Sequence, residues 1–117
     1  MPEASVSRLL VVRLGSLGDL VHTLPAVAAM HRAQPGAAID WLVDRAHVDF
    51  LQLVPIVSSL VILEEATVGG WLRARQAMRA RRYNAAIDFQ GLVKSAALAR
   101  LSGARRVIGF ARPALRE

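Results

Sequence analysis

Two short polar stretches carry the residues of this chain that are able to do chemistry. The first, GSLGD at residues 15–19, follows the apolar run 9–12, and the second is DFQGLVKS at residues 88–95. Each combines glycines, which let the backbone turn tightly and let a ligand approach closely, with charged side chains. A carboxylate beside a binding site can serve as a general base, and a lysine can hold an anion.

Asp19 stands where a helix is predicted to begin, and two interpretations of it compete. Aspartate is a common helix N-cap, because its carboxylate accepts hydrogen bonds from the free amides of the first turn. The alternative is a general base that takes a proton from a hydroxyl nucleophile. The exposed amides at the start of the helix also favour an anion such as phosphate. The glycine spacing matches neither a Walker loop nor the dinucleotide-binding fingerprint. Spacing alone therefore leaves open whether Asp19 is a helix N-cap or a general base.

Three further side chains near these stretches are candidates for substrate contacts. His22 lies one helical turn after Asp19, where a neutral ring packed against the sheet is the alternative to a substrate contact. Lys94 and Ser95 fall in the first turn of a predicted helix, where the dipole disfavours a lysine. A ligand phosphate or carboxylate would suit Lys94, although a capped turn with a solvated lysine is equally consistent with the segment.

The composition excludes several classes of protein. The chain has 117 residues, 54% of them apolar, so it is long enough for one domain with a core and is not a disordered chain. It has no cysteine, which excludes disulfides, a thiolate zinc site and a cysteine nucleophile. The three histidines, with His31 and His47 assigned to surface or helix-face positions, form no metal-site pattern. Without a signal peptide or an apolar run of about 20 residues, we expect a cytoplasmic protein, at most peripheral to a membrane.

Positive charge is concentrated in the second part of the chain. Residues 1–72 hold four basic and seven acidic side chains, whereas residues 73–117 hold eleven basic and two acidic ones. Arg75, Arg79 and Arg82 share one face of a predicted helix. Aromatic residues do not interleave with this cluster, which disfavours nucleic acid and favours an anionic lipid headgroup or a sugar phosphate. A solvated basic face, or half of an interface, is the alternative.

Short apolar runs alternate with helix-like stretches along the chain. The predicted strands are 9–12, 39–43, 59–63, 83–89 and 106–110, and the predicted helices are 19–34, 47–54, 71–82 and 92–101. Pro25 interrupts the first helix, so we expect a first turn at 19–22 and a restart at Pro25. The alternation predicts an α/β fold with a parallel sheet flanked by helices. In the strand order 3-2-1-4-5, strands one and four are neighbours, and the two polar loops meet at the carboxyl edge of the sheet.

Three segments together resemble a known family. They are RLGSLGDLVHTLPAV at residues 13–27, IDWLVD at 39–44 and YNAAIDFQGLVKSAALARLSGARRVIGF at 83–110, and the resemblance covers roughly residues 8–110. They resemble the amino-terminal domain of the family 9 glycosyltransferases. The resemblance implies the amino-terminal half of a GT-B fold, in which two Rossmann-like domains face each other across a cleft. It also implies an inverting transfer of heptose from ADP-heptose to the Kdo-lipid A inner core in lipopolysaccharide biosynthesis, without a cofactor or an obligatory metal.

The resemblance also implies roles for individual residues. Asp19 matches the proposed catalytic base, while Ser16 and Gly18 match the loop that meets the donor phosphates. Lys94 and Ser95 match a second loop that lines the cleft. A basic acceptor-binding insert of the family is shortened here to residues 64–70 before Arg73 and Arg75, so these two arginines are the remaining candidates for the anionic groups of the acceptor.

The resemblance predicts one acceptor-side domain over residues 1–117, incomplete and without the carboxyl-terminal donor-binding domain. Such a fragment would be inactive by itself. An alternative from a different class is a non-catalytic Rossmann- or flavodoxin-like domain that binds a nucleotide or a phosphate at the start of its first helix. Binding of nucleic acid through the basic part of the chain is a third hypothesis, for which strong salt dependence would be the sign.

Overall fold

A five-stranded parallel sheet forms the centre of the structure, a computed structural model that describes residues 7–65 and 67–109. The strands are β1 (Arg8–Val12), β2 (Ala38–Asp44), β3 (Ser59–Leu63), β4 (Ala85–Asp88) and β5 (Arg106–Gly109). The helices are α1 (Leu17–Ala33), α2 (Val48–Leu51), α3 (Val68–Arg81) and α4 (Val93–Leu101), and a 3₁₀ turn at Arg45–His47 precedes α2. In this part of the chain, the helices are too short or too polar to cross a membrane.

The strand order is β3-β2-β1-β4-β5, with every neighbouring pair parallel. This order confirms the predicted α/β sheet and places β1 beside β4, so that Val12 lies opposite Asp88. Because parallel strands end at the same edge, the loops after β1, β2 and β4 converge there.

The core has two layers, one on each face of the sheet. Alternate residues of β1 point to opposite faces, which is the ordinary geometry of a strand. Leu10 and Val12 pack with α3 and α4, whereas Leu9 and Val11 pack with α1 and α2. Both faces of β1 are therefore buried, which explains why its sequence is a continuous apolar run.

The first helix differs from its prediction in two ways. It begins at Leu17, so Asp19 is its third residue and Ser16 occupies the N-cap position. It also continues through Pro25, and the predicted restart there is wrong. A proline inside a helix frees the carbonyl four residues earlier, here that of Val21. Val21 and Pro25 are both exposed, so water can satisfy that carbonyl.

Smaller differences occur around α3 and β4. The helix starts at Val68 rather than at residue 71, because the Thr67 hydroxyl accepts a hydrogen bond from the amide of Gly70 at 3.1 Å and caps it. It ends at Arg81, and the C-cap residue Arg82 has a φ of 54°, in the left-handed region. The next strand, β4, begins at Ala85 rather than at residue 83. The predicted helix 47–54 is reduced to α2 and its 3₁₀ turn. Phe110, the last residue of the predicted fifth strand, lies outside the described residues.

Candidate active site

The loops after β1, β2 and β4 surround a half-open cavity of about 310 Å³ at the carboxyl edge of the sheet. Its lining consists of Leu14, Gly15, Ser16, Asp44, His47, Gln90, Leu92, Lys94 and Ser95. Three residues that the sequence marks as site candidates, Ser16, Lys94 and Ser95, are thus brought together. These residues meet because β1 and β4 are adjacent strands of the sheet, so the loops that follow them lie side by side.

Hydrogen bonds to the backbone of Arg13 and Leu14 hold the start of the β1–α1 loop against both neighbouring strands. The amide of Leu14 donates to Gln90 Oε1 at 2.9 Å, and the carbonyl of Leu14 accepts from the amide of Asp44 at 3.1 Å. The carbonyl of Arg13 accepts from the indole Nε1 of Trp41 at 2.9 Å. The loop therefore leaves the sheet at a well-defined position.

The two glycines of this loop have different surroundings. A Cβ atom placed on Gly15 would lie 2.7 Å from Nε2 of His47, so the imidazole ring packs directly on the backbone of Gly15. Around Gly18, the second residue of α1, a Cβ would meet nothing within 4 Å. Gly15 is thus needed for packing within the protein, whereas the backbone at Gly18 is open to an approaching ligand.

The Asp19 carboxylate lies in the first turn of α1 and pairs with Arg13. Its Oδ2 is 3.2 Å from Arg13 Nη2, and the side chain keeps 47% of its exposure. The N-cap interpretation of Asp19 is wrong, because the helix begins two residues earlier. Asp19 is not part of the cavity lining, but it stands in the same loop-to-helix segment as Ser16 and Gly18.

Asp88, the acid of the second loop, is used differently. It is 4% exposed, and its Oδ1 accepts from the amides of Gln90 at 3.0 Å and Gly91 at 3.1 Å. Its Oδ2 is 3.2 Å from the hydroxyl of Ser95. Gly91 has a φ of 77°, which only glycine adopts without strain. Asp88 therefore folds the loop rather than facing a ligand.

The Ser95 hydroxyl is fully buried and engaged by the protein. Besides Asp88, it contacts the carbonyl of Leu92 at 2.9 Å and accepts from the amide of Leu92 at 3.0 Å. Lys94, by contrast, is exposed. It borders both the cavity and a neighbouring apolar groove of about 520 Å³ between α3 and α4, which is also lined by Trp71, Leu72 and Arg75.

The remaining candidates lie outside the cavity. His22 is exposed on α1, so its predicted packing against the sheet is wrong. Arg73 is exposed, with its Nη2 at 3.7 Å from Glu65 Oε1, and Arg75 borders the apolar groove. The roles predicted for these residues, like those of Asp19 and Ser16, stay predictions.

Four polar residues near this edge were not marked by the sequence as site candidates. They are Arg13, Asp44, His47 and Gln90. The usable signal was topological, since the loop after β2 must reach the same edge as the loop after β1. The sequence predicts a surface or helix-face position for His47, but His47 is half-buried and lines the cavity. Over residues 7–65 and 67–109, no group of three or more acidic or histidine side chains is arranged to hold a metal ion.

Comparison with known proteins identifies the family. The model of glycosyltransferase family 9 (heptosyltransferase) matches residues 71–114. Lipopolysaccharide heptosyltransferase 1 of Pseudomonas aeruginosa is 35% identical over 120 residues, which cover 94% of this chain and 34% of that protein. The chain is thus similar to glycosyltransferase family 9. The enzyme of the same name from Escherichia coli strain K12 is 36% identical over 104 residues, which cover 78% of this chain and 32% of its own.

Solved structures of this family share the fold. Escherichia coli heptosyltransferase WaaC with ADP superimposes with a TM-score of 0.75 at 34% identity, over 88% of this chain and 35% of that one. A family 9 glycosyltransferase from Veillonella parvula has a TM-score of 0.83 at 19% identity, over 94% of this chain and 33% of that one, and shows the fold alone. The resemblance inferred from the sequence motifs is confirmed. The chain spans about a third of the length of the relatives that it matches.

Proposed function

We propose that this chain forms the acceptor side of a heptosyltransferase site in which Asp19 is the general base. The observation that carries this proposal is the contrast between the two loop carboxylates. Both oxygens of Asp88 are bonded inside the protein, whereas Asp19 is half exposed and pairs through Oδ2 alone among the contacts described. A base must reach the proton that it removes, and Asp19 meets this requirement.

In the proposed reaction, an acceptor hydroxyl loses its proton to Asp19 while its oxygen attacks the anomeric carbon of ADP-heptose. The bond from that carbon to the diphosphate oxygen breaks, and ADP leaves with the electron pair. Attack from the opposite face inverts the configuration. The positive end of the α1 dipole, with Ser16 and the open backbone at Gly18, would stabilise the charge of the diphosphate. No metal is needed in this scheme.

The acceptor is proposed to be the anionic inner core, Kdo-lipid A. Lys94 supports this assignment, because it borders both the polar cavity and the apolar groove. An amphipathic acceptor could place a carboxylate or phosphate near Lys94 and apolar groups along Trp71 and Leu72. Arg75, on the rim of the groove, and Arg73 add positive charge nearby. The same surface would allow peripheral contact with an anionic membrane.

The test uses the natural polypeptide that carries this chain, incubated with ADP-heptose and Kdo-lipid A. Release of ADP and formation of the heptosylated lipid are measured for the unaltered protein, for Asp19→Asn and for Asp49→Asn. Loss of a general base typically costs about 10²- to 10⁴-fold in rate, and we expect a loss of this size for Asp19→Asn. Asp49→Asn is the matched control, because Asp49 is an exposed acid of α2.

Two results would contradict the proposal in different ways. A normal rate for Asp19→Asn would exclude Asp19 as the base and leave the substrates in place. In the second, the unaltered protein fails to transfer heptose from ADP-heptose to Kdo-lipid A while using another sugar nucleotide or acceptor. That result would show that the proposed substrates are wrong.

A further inference from the structure

We propose that Arg13 is the positioning residue of this site and holds the carboxylate of Asp19 in the orientation required for proton removal. This inference rests on the proposed role of Asp19 as general base. Arg13 directly follows β1 and immediately precedes the residues of the loop that line the cavity.

The backbone of Arg13 is fixed on the side of β2. Its amide donates to the carbonyl of Leu42 at 3.3 Å, and its carbonyl accepts from the indole of Trp41, which is fully buried. The Cα atom of Arg13 is thus held by the core of the domain. Because this Cα atom is fixed, the Arg13 side chain can hold the Asp19 carboxylate in a defined position.

The guanidinium of Arg13 joins two elements that meet at the carboxyl edge. Nη1 donates to the carbonyl of Phe89, at the end of β4, and Nη2 lies 3.2 Å from Asp19 Oδ2 in the first turn of α1. Because a guanidinium is planar, the bond to Phe89 also sets the direction of Nη2. The Arg13 side chain is 19% exposed against 47% for Asp19, so the more buried partner orients the more exposed one.

The cost of burying Arg13 argues for a role beyond folding. Within the described part of the chain, its Nε is buried and nothing accepts a hydrogen bond from it. A buried donor without an acceptor is unfavourable, and an apolar side chain would avoid this penalty. What arginine adds here is a charged fork that reaches the helix turn of Asp19.

The contribution of Arg13 to the reaction is orientation. A half-exposed aspartate samples several side-chain rotamers, and only some of them direct a free oxygen towards an acceptor hydroxyl. Pairing of Oδ2 with Arg13 selects one orientation and leaves Oδ1 for the proton. Misplacement of a reacting group by about 1 Å can cost on the order of 100-fold in rate, so holding this rotamer matters to turnover.

The first measurement compares kcat and KM in the natural polypeptide that carries the chain. For Arg13→Gln we expect kcat to fall by about 10- to 100-fold while KM for ADP-heptose and for Kdo-lipid A stays within about twofold. Arg13→Lys should recover part of the loss, because it keeps the charge without the planar fork. Arg45→Gln is the matched control, since it removes an exposed ion pair with Glu64 and should leave kcat unchanged. A raised KM at normal kcat would assign Arg13 to substrate binding and overturn the proposal.

The second measurement is a double-mutant cycle with Asp19→Asn. If Arg13 acts through Asp19, then Arg13→Gln should cause no further loss of kcat in the Asp19→Asn protein. Multiplied losses would show an independent role and refute the positioning. Urea unfolding of each variant checks the fold, and if Arg13→Gln does not fold, Arg13→Lys in the same cycle decides the question.

The cycle also separates the two proposals. A normal rate for Asp19→Asn refutes the general base itself. A slow Asp19→Asn together with a normal Arg13→Gln refutes only the positioning role.

Discussion

The loops after β1 and β4 end at the same edge of the sheet, yet they use an aspartate in opposite ways. Asp88 is buried, and its two oxygens accept hydrogen bonds from its own loop and from Ser95. Asp19 is half exposed, and its described ion pair is with Arg13. A carboxylate that stabilises a loop is saturated by the protein, whereas one that serves a reactant must keep an oxygen accessible. Position at the edge is therefore insufficient to identify a catalytic carboxylate, and the accessibility of its oxygens decides.

The largest expected effect on stability is at Asp88. Asp88→Ala leaves the amides of Gln90 and Gly91 without their acceptor and removes the contact with the Ser95 hydroxyl, so we expect the free energy of unfolding to fall by about 3 kcal/mol. Asp88→Asn should cost about 1 kcal/mol, because an amide oxygen can still accept from both backbone groups. Urea unfolding of the chain measures both values.

Asp19→Ala is the control for this comparison. It removes a partly exposed ion pair, and we expect a change within about 1 kcal/mol. Equal losses for Asp19→Ala and Asp88→Ala would show that both aspartates are structural, and the contrast between the loops would be refuted.

The contrast between these aspartates also marks how far the sequence could lead. The apolar run of β1 and the alternation of elements predicted the sheet and its order, because burial of both faces leaves a strong pattern. Ser16, Lys94 and Ser95 were placed together by topology alone. Whether an oxygen of Asp19 or of Asp88 accepts a hydrogen bond from the protein depends on three-dimensional contacts between the side chain and its loop. The residue type alone does not predict these contacts.

Arg13 and His47 show the same limit. The guanidinium reaches across from β1 to α1 and β4, and the imidazole comes from the loop after β2. Arg13 lies in the first family-like segment, but residue type and spacing mark neither side chain as part of the site, since their contacts join segments that are distant in the chain. The N-cap alternative for Asp19 is wrong for a related reason, because a preference for capping residues does not detect that α1 begins two residues earlier.

A third carboxylate, Asp40 of β2, extends the comparison to the interior. It is 1% exposed, and its Oδ2 accepts from the hydroxyl of Tyr83 at 2.7 Å and from Arg81 Nη1 at 2.9 Å. Burial, together with the neighbouring Asp40, raises the pKa of Tyr83 well above its usual value. Its Oδ1 has no hydrogen-bond partner among the described residues, but burial keeps that oxygen away from a reactant. Asp40 therefore serves the fold, as Asp88 does, and the titration of Tyr83 gives a pH-dependent measure of their contact.

We expect this tyrosine to make stability fall in alkali. Because the folded pKa is raised, the unfolded chain ionises first, near pH 10, and the contribution of Tyr83 is present below that pH and lost above it. Between about pH 9 and about pH 11 the loss should be about 1 kcal/mol, and Tyr83→Phe should abolish it. Tyr83 is the only tyrosine of the chain, so tyrosinate absorbance reports it alone. Ionisation near pH 10 in the folded protein would contradict the buried pairing.

The smallest expected effects separate the two glycines of the first loop. Gly15→Ala forces the His47 ring away from the backbone, so we expect a loss of about 1 kcal/mol in the free energy of unfolding. In the His47→Ala background the same change should cost much less, because the clashing ring is gone. Gly18→Ala, in an open helical position, should raise stability by about 0.5 kcal/mol.

Urea unfolding of these variants tests whether Gly15 is needed for packing while Gly18 leaves space for a ligand. An equal cost of Gly15→Ala with and without His47 would mean that the ring is not the reason for glycine there. If Gly18→Ala is as stable as expected yet slows transfer in the natural polypeptide, the open space around Gly18 is used by a ligand rather than by the fold. That result would assign the accessible part of the loop, like the accessible carboxylate of Asp19, to contact with the substrates.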